Sequence, residues 1–133
     1  MIAVLDASAA IEMILARSAA DELSQLVSEA ELVLAPDLYI AEVANALWKH
    51  ASASGNSSSY QELLDDAVAL ADDVVDSVSL YREAFALSTK HQHPVYDALY
   101  IVVARRNNAT ILTVDQRLAS LASTLEMSIC PPC

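Results

Sequence analysis

Four carboxylates are set apart by their surroundings: Asp6, Glu42, Asp97 and Asp115. Asp97 has the sharpest signal, as the single ionisable carboxylate in Val95-Tyr96-Asp97-Ala98-Leu99-Tyr100-Ile101-Val102-Val103-Ala104. Burying a charge unpaired costs on the order of several kcal/mol. A helix dipole acting on a first-turn acid after Pro94 returns only about 0.3–1 kcal/mol. A partner is therefore expected, and a metal ion is the obvious one. Glu42 sits in Leu38-Tyr39-Ile40-Ala41-Glu42-Val43-Ala44-Asn45-Ala46-Leu47-Trp48, a segment apolar nearly all round and so expected to be largely buried as a helix. Its polar residues, Glu42 and Asn45, are spaced i and i+3 and share one face. That face either points into a cleft or forms an exposed polar stripe. Asp6 and Asp115 each follow a strand pattern and precede a helix pattern, so N-capping explains either one taken alone. Both also stand at carboxyl ends of strands, where open parallel sheets place their ligands.

Oxygen ligands without thiolates suit hard divalent cations, so Mg²⁺ or Mn²⁺ is favoured. A carboxylate cluster holding such ions activates water and stabilises in-line displacement at a phosphodiester, which makes hydrolysis the expected chemistry. Convergence of four like charges should also raise some of their folded-state pKa values. His50, His91 and His93 are read as solvated or structural and are assigned no role, because His91-Gln92-His93 lacks the i, i+4 spacing of a helical metal pair. The chain has one glycine, Gly55, which excludes P-loop and dinucleotide-binding chemistry; phosphate work falls to side chains and metal.

These residues need a scaffold, and the pattern supplies one. Strands are expected at 2–5, 31–36, 74–78, 109–114 and 127–129, and helices at 8–17, 18–29, 37–50, 60–71, 80–90, 95–106 and 116–123. Residues 51–59, rich in Ser and Ala, read as a flexible connector within a single domain spanning 1–133. Strands separated by helices predict an α/β fold, a mainly parallel central sheet flanked by helices on both faces.

Quoted in order, Val4-Leu5-Asp6-Ala7-Ser8-Ala9, Ala41-Glu42-Val43-Ala44-Asn45-Ala46-Leu47, Val95-Tyr96-Asp97-Ala98-Leu99-Tyr100 and Leu112-Thr113-Val114-Asp115-Gln116-Arg117-Leu118 resemble the four motifs of the PIN domain family, in particular its VapC-type toxins. The resemblance covers the whole chain. No single motif is specific, but four in this order and at these distances are jointly so. The resemblance implies a PIN-like three-layer sandwich in which the four acids meet at Mg²⁺ or Mn²⁺, supported by Ser8 or Thr113. It further implies RNA cleavage leaving a 5′-phosphate and a 3′-hydroxyl, a homodimer, and inhibition by a small antitoxin wrapping the helical arms beside the Ser-rich connector. Where some members carry a further acid after the fourth motif, Gln116 and Arg117 stand here.

The formal charge of −11, from 18 acids against 7 bases, is unusual for a nucleic-acid binder, whose affinity comes largely from Lys and Arg. Bound divalent ions would invert the field locally; Lys49, Arg105, Arg106 and Arg117 are the expected RNA contacts. The opposing reading is a non-catalytic PIN-like interaction module, which the scarcity of bases favours and the retention of all four acids opposes. A haloacid-dehalogenase-type phosphatase would need an acid where Ser8 stands. No apolar block approaches the about 20 residues of a membrane span. Asp6 interrupts the opening apolar run before it can serve as a signal sequence, and the two cysteines, Cys130 and Cys133, look like a tail rather than a disulfide framework. A cytoplasmic, reducing location is expected.

Overall fold

The structure is a computed structural model, described here for residues 1–55 and 59–132. Its strands are β1 (Ile2–Leu5), β2 (Leu32–Pro36), β3 (Asp73–Val75), β4 (Thr110–Leu112) and β5 (Ile129–Cys130). Its helices are α1 (Ala7–Ile14), α2 (Ala20–Glu29), α3 (Leu38–Ser54), α4 (Tyr60–Ala69), α5 (Ser77–His91), α6 (Val95–Asn107) and α7 (Gln116–Thr124). The strands form one sheet in the order β3-β2-β1-β4-β5, and every neighbouring pair is parallel. From β1 the chain steps outward to β2 and β3, then returns past β1 to β4 and β5. Right-handed crossovers therefore place α1 to α4 on one face and α5 to α7 on the other. The packing agrees: α1 touches α2, α3 and α4, while α5 lies along α6. This is the expected α/β sandwich, with a sheet that is parallel throughout.

The central elements are apolar on every side because they are covered on every side. Ala3, Val4 and Leu5 of β1 have no exposure, and α6 lies against β1, β2 and β4 with Ala98 to Ala104 all buried. The same burial explains why α6 carries an unbroken apolar run rather than a stripe.

Four expectations need correction. The first concerns α1, which stops at Ile14 rather than continuing to Arg17, because Ala16 turns to φ 53° and the amides of Ala16 and Arg17 close back on Met13 and Glu12. Helix α3 runs on to Ser54, so the first residues assigned to the connector are helical; Ala51 is buried, and Gly55 at φ 73° ends the helix by returning its amide to Ala51. Residues 56–58 of that connector lie outside the described residues. Nor is α3 buried all round: Tyr39, Val43, Leu47 and Ala51 form one inward stripe, and Trp48 is 63% exposed. Its inward face packs on α1 and α4, and that packing needs only one stripe. At the other end of the chain, Cys130 is not in a tail. It pairs with β4 through Thr113 N–H to its carbonyl at 3.0 Å, and it is disulfide-bonded; Cys133 lies outside the described residues.

Candidate active site

Leu5 of β1 and Leu112 of β4 are register partners, so the next residues, Asp6 and Thr113, emerge side by side. They do so at the carboxyl edge of the sheet, between the two strands where the strand order reverses, which is where open α/β sheets form their crevice. The Asp6 amide donates to Leu112 O at 3.0 Å and fixes the backbone there. Although Asp6 precedes α1, its side chain does not cap the helix. Its Oδ2 instead accepts from Ser8 Oγ at 2.5 Å and from Thr113 Oγ1 at 2.7 Å. Each hydroxyl also accepts an amide, Ser8 from Val114 at 3.1 Å and Thr113 from Asp115 at 2.9 Å. Those amides orient the hydroxyls to donate toward Asp6. Among the described residues no donor reaches Oδ1 of Asp6. Asp6 is 6% exposed, and that burial pushes its carboxyl above the ordinary range; the two hydroxyls offset part of the shift, and the charges of Asp115 and Asp97 add to it.

Glu42 projects from α3, half-buried, and its Oε1 accepts from the Tyr100 hydroxyl of α6 at 2.7 Å. Its carboxyl is also raised, first by burial, with Tyr100 opposing and the charges of Asp6, Asp97 and Asp115 contributing. Tyr100 is buried beside Asp6 and Glu42, so its phenol is pushed far above its usual range and acts only as a neutral donor. Repulsion among the acids is thus present, but burial is the larger cause in both raised groups.

Asp97 lies in the first turn of α6, and its Oδ2 is 2.7 Å from Nε2 of His93, with each side chain only 17% exposed. His93 was assigned no role from the sequence; the structure makes it the partner that Asp97 required. The signal in the sequence is its i, i+4 spacing to Asp97. Asp115 caps α7 by accepting from Arg117 N–H at 2.8 Å, so its capping reading holds at the level of geometry. Asn45 is exposed and takes no part in the arrangement.

Asp6, Glu42 and Asp115 line one open cleft of about 310 Å³, together with Ser8, Glu12 and Arg17. Asp97 does not line it, although its charge acts on Asp6 and Glu42. Among the described residues, no three Asp, Glu, His or Cys side chains stand close enough to hold one ion. The physical reason is that each acid is held separately, by hydroxyls, a phenol, an imidazole or a helix terminus. The donors nevertheless fit a hard divalent cation. They are carboxylate and hydroxyl oxygens, one of them a buried carboxylate with a free oxygen, and Mg²⁺ commonly takes only one or two protein carboxylates while keeping several waters.

Two bases expected to contact RNA are engaged elsewhere. Arg105 and Arg106, at the far end of α6 from Asp97, bind Glu83 of α5 at 2.7 and 3.2 Å.

Residues 3–123 match the family described as PIN domain. The chain is 35% identical over 121 residues to Ribonuclease VapC3 of Pyrobaculum aerophilum, an alignment covering 87% of this chain and 91% of that one. Among solved structures it resembles PAE2754 from Pyrobaculum aerophilum (TM-score 0.71, 22% identity, 91% of this chain and 87% of that one). It also resembles VapBC2 from Rickettsia felis bound to a DNA fragment from their promoter (TM-score 0.67, 16% identity, 98% of each chain). A sheet that reverses its strand order beside a buried aspartate, matched over nearly the whole length in this way, makes the chain a member of the PIN domain family.

Proposed function

We propose that this protein is a metal-dependent endoribonuclease, the VapC-type toxin of a toxin–antitoxin pair. The carrying observation is the Asp6 carboxylate, buried at the reversal of strand order and oriented by Ser8 and Thr113, with Glu42 and Asp115 across the same cleft. The name of the 35%-identical relative supports the reaction class, and the VapBC2 assembly supports a protein partner.

Asp6 would hold Mg²⁺ or Mn²⁺, with Glu42 and Asp115 reaching the ion through its bound waters and Asp97 contributing charge from beside His93. Bound there, the ion would lower the pKa of water and neutralise charge on the phosphodiester. The chain's own residues do the rest. Ser8 and Thr113 both hold Oδ2 of Asp6, which leaves Oδ1 as the oxygen for a ligand in the cleft that Asp6 lines. Tyr100 donates to Glu42 and opposes the burial that raises its pKa. An antitoxin or a second copy has apolar surface to cover, because α5 exposes Val78, Tyr81 and Phe85 at i, i+3 and i+7.

The test is cleavage of RNA by purified protein in Mg²⁺ or Mn²⁺ against EDTA, for the wild type and for Asp6→Asn. Wild-type cleavage requires metal. Asp6→Asn should lose more than the about 10–100-fold that removing an outer partner of a metal ligand costs. Equal cleavage by the two proteins, or cleavage undiminished in EDTA, refutes the assignment.

A further inference from the structure

The acid-lined cleft poses a problem for its own substrate. The chain carries a formal charge of −11, and the cleft wall holds Asp6, Glu12, Glu42 and Asp115, so an RNA phosphate approaching it meets repulsion. One base lines that wall, Arg17. Arg105 and Arg106 are held by Glu83, Arg82 lies 5.6 Å over the Tyr81 ring, and Lys90 borders a different depression beside His91. Lys49 and Arg117 do not line the cleft.

Arg17 is also placed by the backbone. It follows α1 in a two-bond C-terminal turn, with Ala16 N–H on Met13 O at 3.1 Å and Arg17 N–H on Glu12 O at 2.9 Å. The turn puts Ala16, a residue with a Cβ, at φ 53°, where glycine is usual. Glu12 forms no ion pair with the guanidinium; its carboxylate accepts from the Ala19 amide at 3.4 Å. Among the described residues the Arg17 side chain has no ion-pair partner, and it is exposed. A cation at a helix C-terminus gains a little from the dipole, but that does not require it to line this cleft.

We propose that Arg17 is the phosphate-binding residue of the cleft, gripping an RNA backbone phosphate that flanks the one presented to the carboxylates. Asp6 precedes α1 and Arg17 follows it, so the two approach the one cleft from opposite ends of the helix, and the phosphate assigned to Arg17 is a neighbour of the reacting one. A guanidinium suits this task, because it donates two parallel hydrogen bonds to phosphate oxygens and stays charged. Arg17 is thus a substrate-binding residue, and it rests on the ribonuclease reading above.

The experiment measures binding of a fluorescent, mixed-sequence RNA oligonucleotide to the Asp97→Asn protein, with Arg17 intact or changed to Gln or Lys, across a salt series. Metal-supported cleavage is measured in parallel for the same Arg17 variants with Asp97 restored. Arg17→Gln should weaken RNA binding about 10–100-fold and flatten the log–log salt slope by about 0.7–0.9, the loss of one phosphate contact. KM should rise while kcat changes little, and Arg17→Lys should recover the slope and part of the affinity. Arg82→Gln, remote from the cleft, should leave the slope unchanged. An unaltered slope for Arg17→Gln, or an equal loss for Arg82→Gln, overturns the proposal while wild-type cleavage leaves the ribonuclease reading standing. If the wild type neither binds nor cleaves RNA, both fall together.

Discussion

Replacing Tyr100 by Phe removes one oxygen from a residue only 1% exposed, leaves the ring packing in place, and takes from Glu42 the donor at 2.7 Å. A hydrogen bond to a charged group contributes about 1.5–3 kcal/mol. Glu42 is half-buried and can turn toward water, so the lower end applies. Unfolding entropy of about 2.1 cal/mol/K per residue over 133 residues makes about 1.5 kcal/mol a fall of roughly 5 °C in Tm. The loss depends on pH with a definite sign. The folded pKa of Glu42 is already raised, so its ionisation destabilises the metal-free fold above that pKa, and stability is regained as pH falls through it toward the unfolded range. Tyr100 opposes this shift, so Tyr100→Phe raises the folded pKa further. The gap between variant and wild type should be full at neutral pH, begin to narrow as pH falls through the variant's Glu42 pKa, and close below the wild type's lower one, where both proteins carry a neutral carboxyl. Thermal melts of both proteins in EDTA across mildly acidic to neutral pH measure this. Calorimetric titration with Mn²⁺ adds a second readout, with binding expected to weaken about 10–100-fold in the variant. A Tm loss that is absent, or constant across the pH range, means that the hydroxyl does not hold an ionised Glu42.

Two further outcomes follow from the geometry. His93→Leu should weaken Mn²⁺ binding and slow cleavage by about 10–100-fold, while His93→Gln, whose amide can reach the Nε2 position, should recover much of both; equal behaviour of the two variants in calorimetry and RNA cleavage would make the His93–Asp97 contact incidental. Leu80→Ala, at a side chain with no exposure, should cost about 2–5 kcal/mol through the cavity it leaves, read as a lower urea midpoint without a changed slope.

Local pattern determined the order and kind of every element, because period and punctuation are properties of neighbouring residues. Apolar runs such as Ile2–Leu5 read as buried strands, and residues 95–106 as a helix, although which helix is covered on all sides is not legible: the pattern points to residues 38–48, whereas Ala98 to Ala104 are the buried run. The four acids stand out in the sequence as well, Asp97 most clearly, since an isolated charge in an apolar run demands a partner; the structure brings Asp6, Glu42 and Asp115 to one cleft and leaves Asp97 outside its wall. The sequence could not say what that partner was. His93 reaches Asp97 only because the chain enters α6 through Pro94 with both side chains on one side. Nor could it separate Asp6 from Asp37. Each follows a strand and precedes a helix, yet Asp37 spends its carboxylate on Ser77, at the start of α5, which lowers its pKa, whereas Asp6 is buried and raised. The difference is made by which strand lies next door. Beside Asp6, β4 delivers Thr113 and Asp115; beyond Asp37, β3 leads to Ser77. Strand adjacency is a long-range choice made by packing the whole sheet. It decided which carboxylates face a common cleft, and it left Arg17, whose neighbours in sequence give no hint of it, as the base that shares their wall.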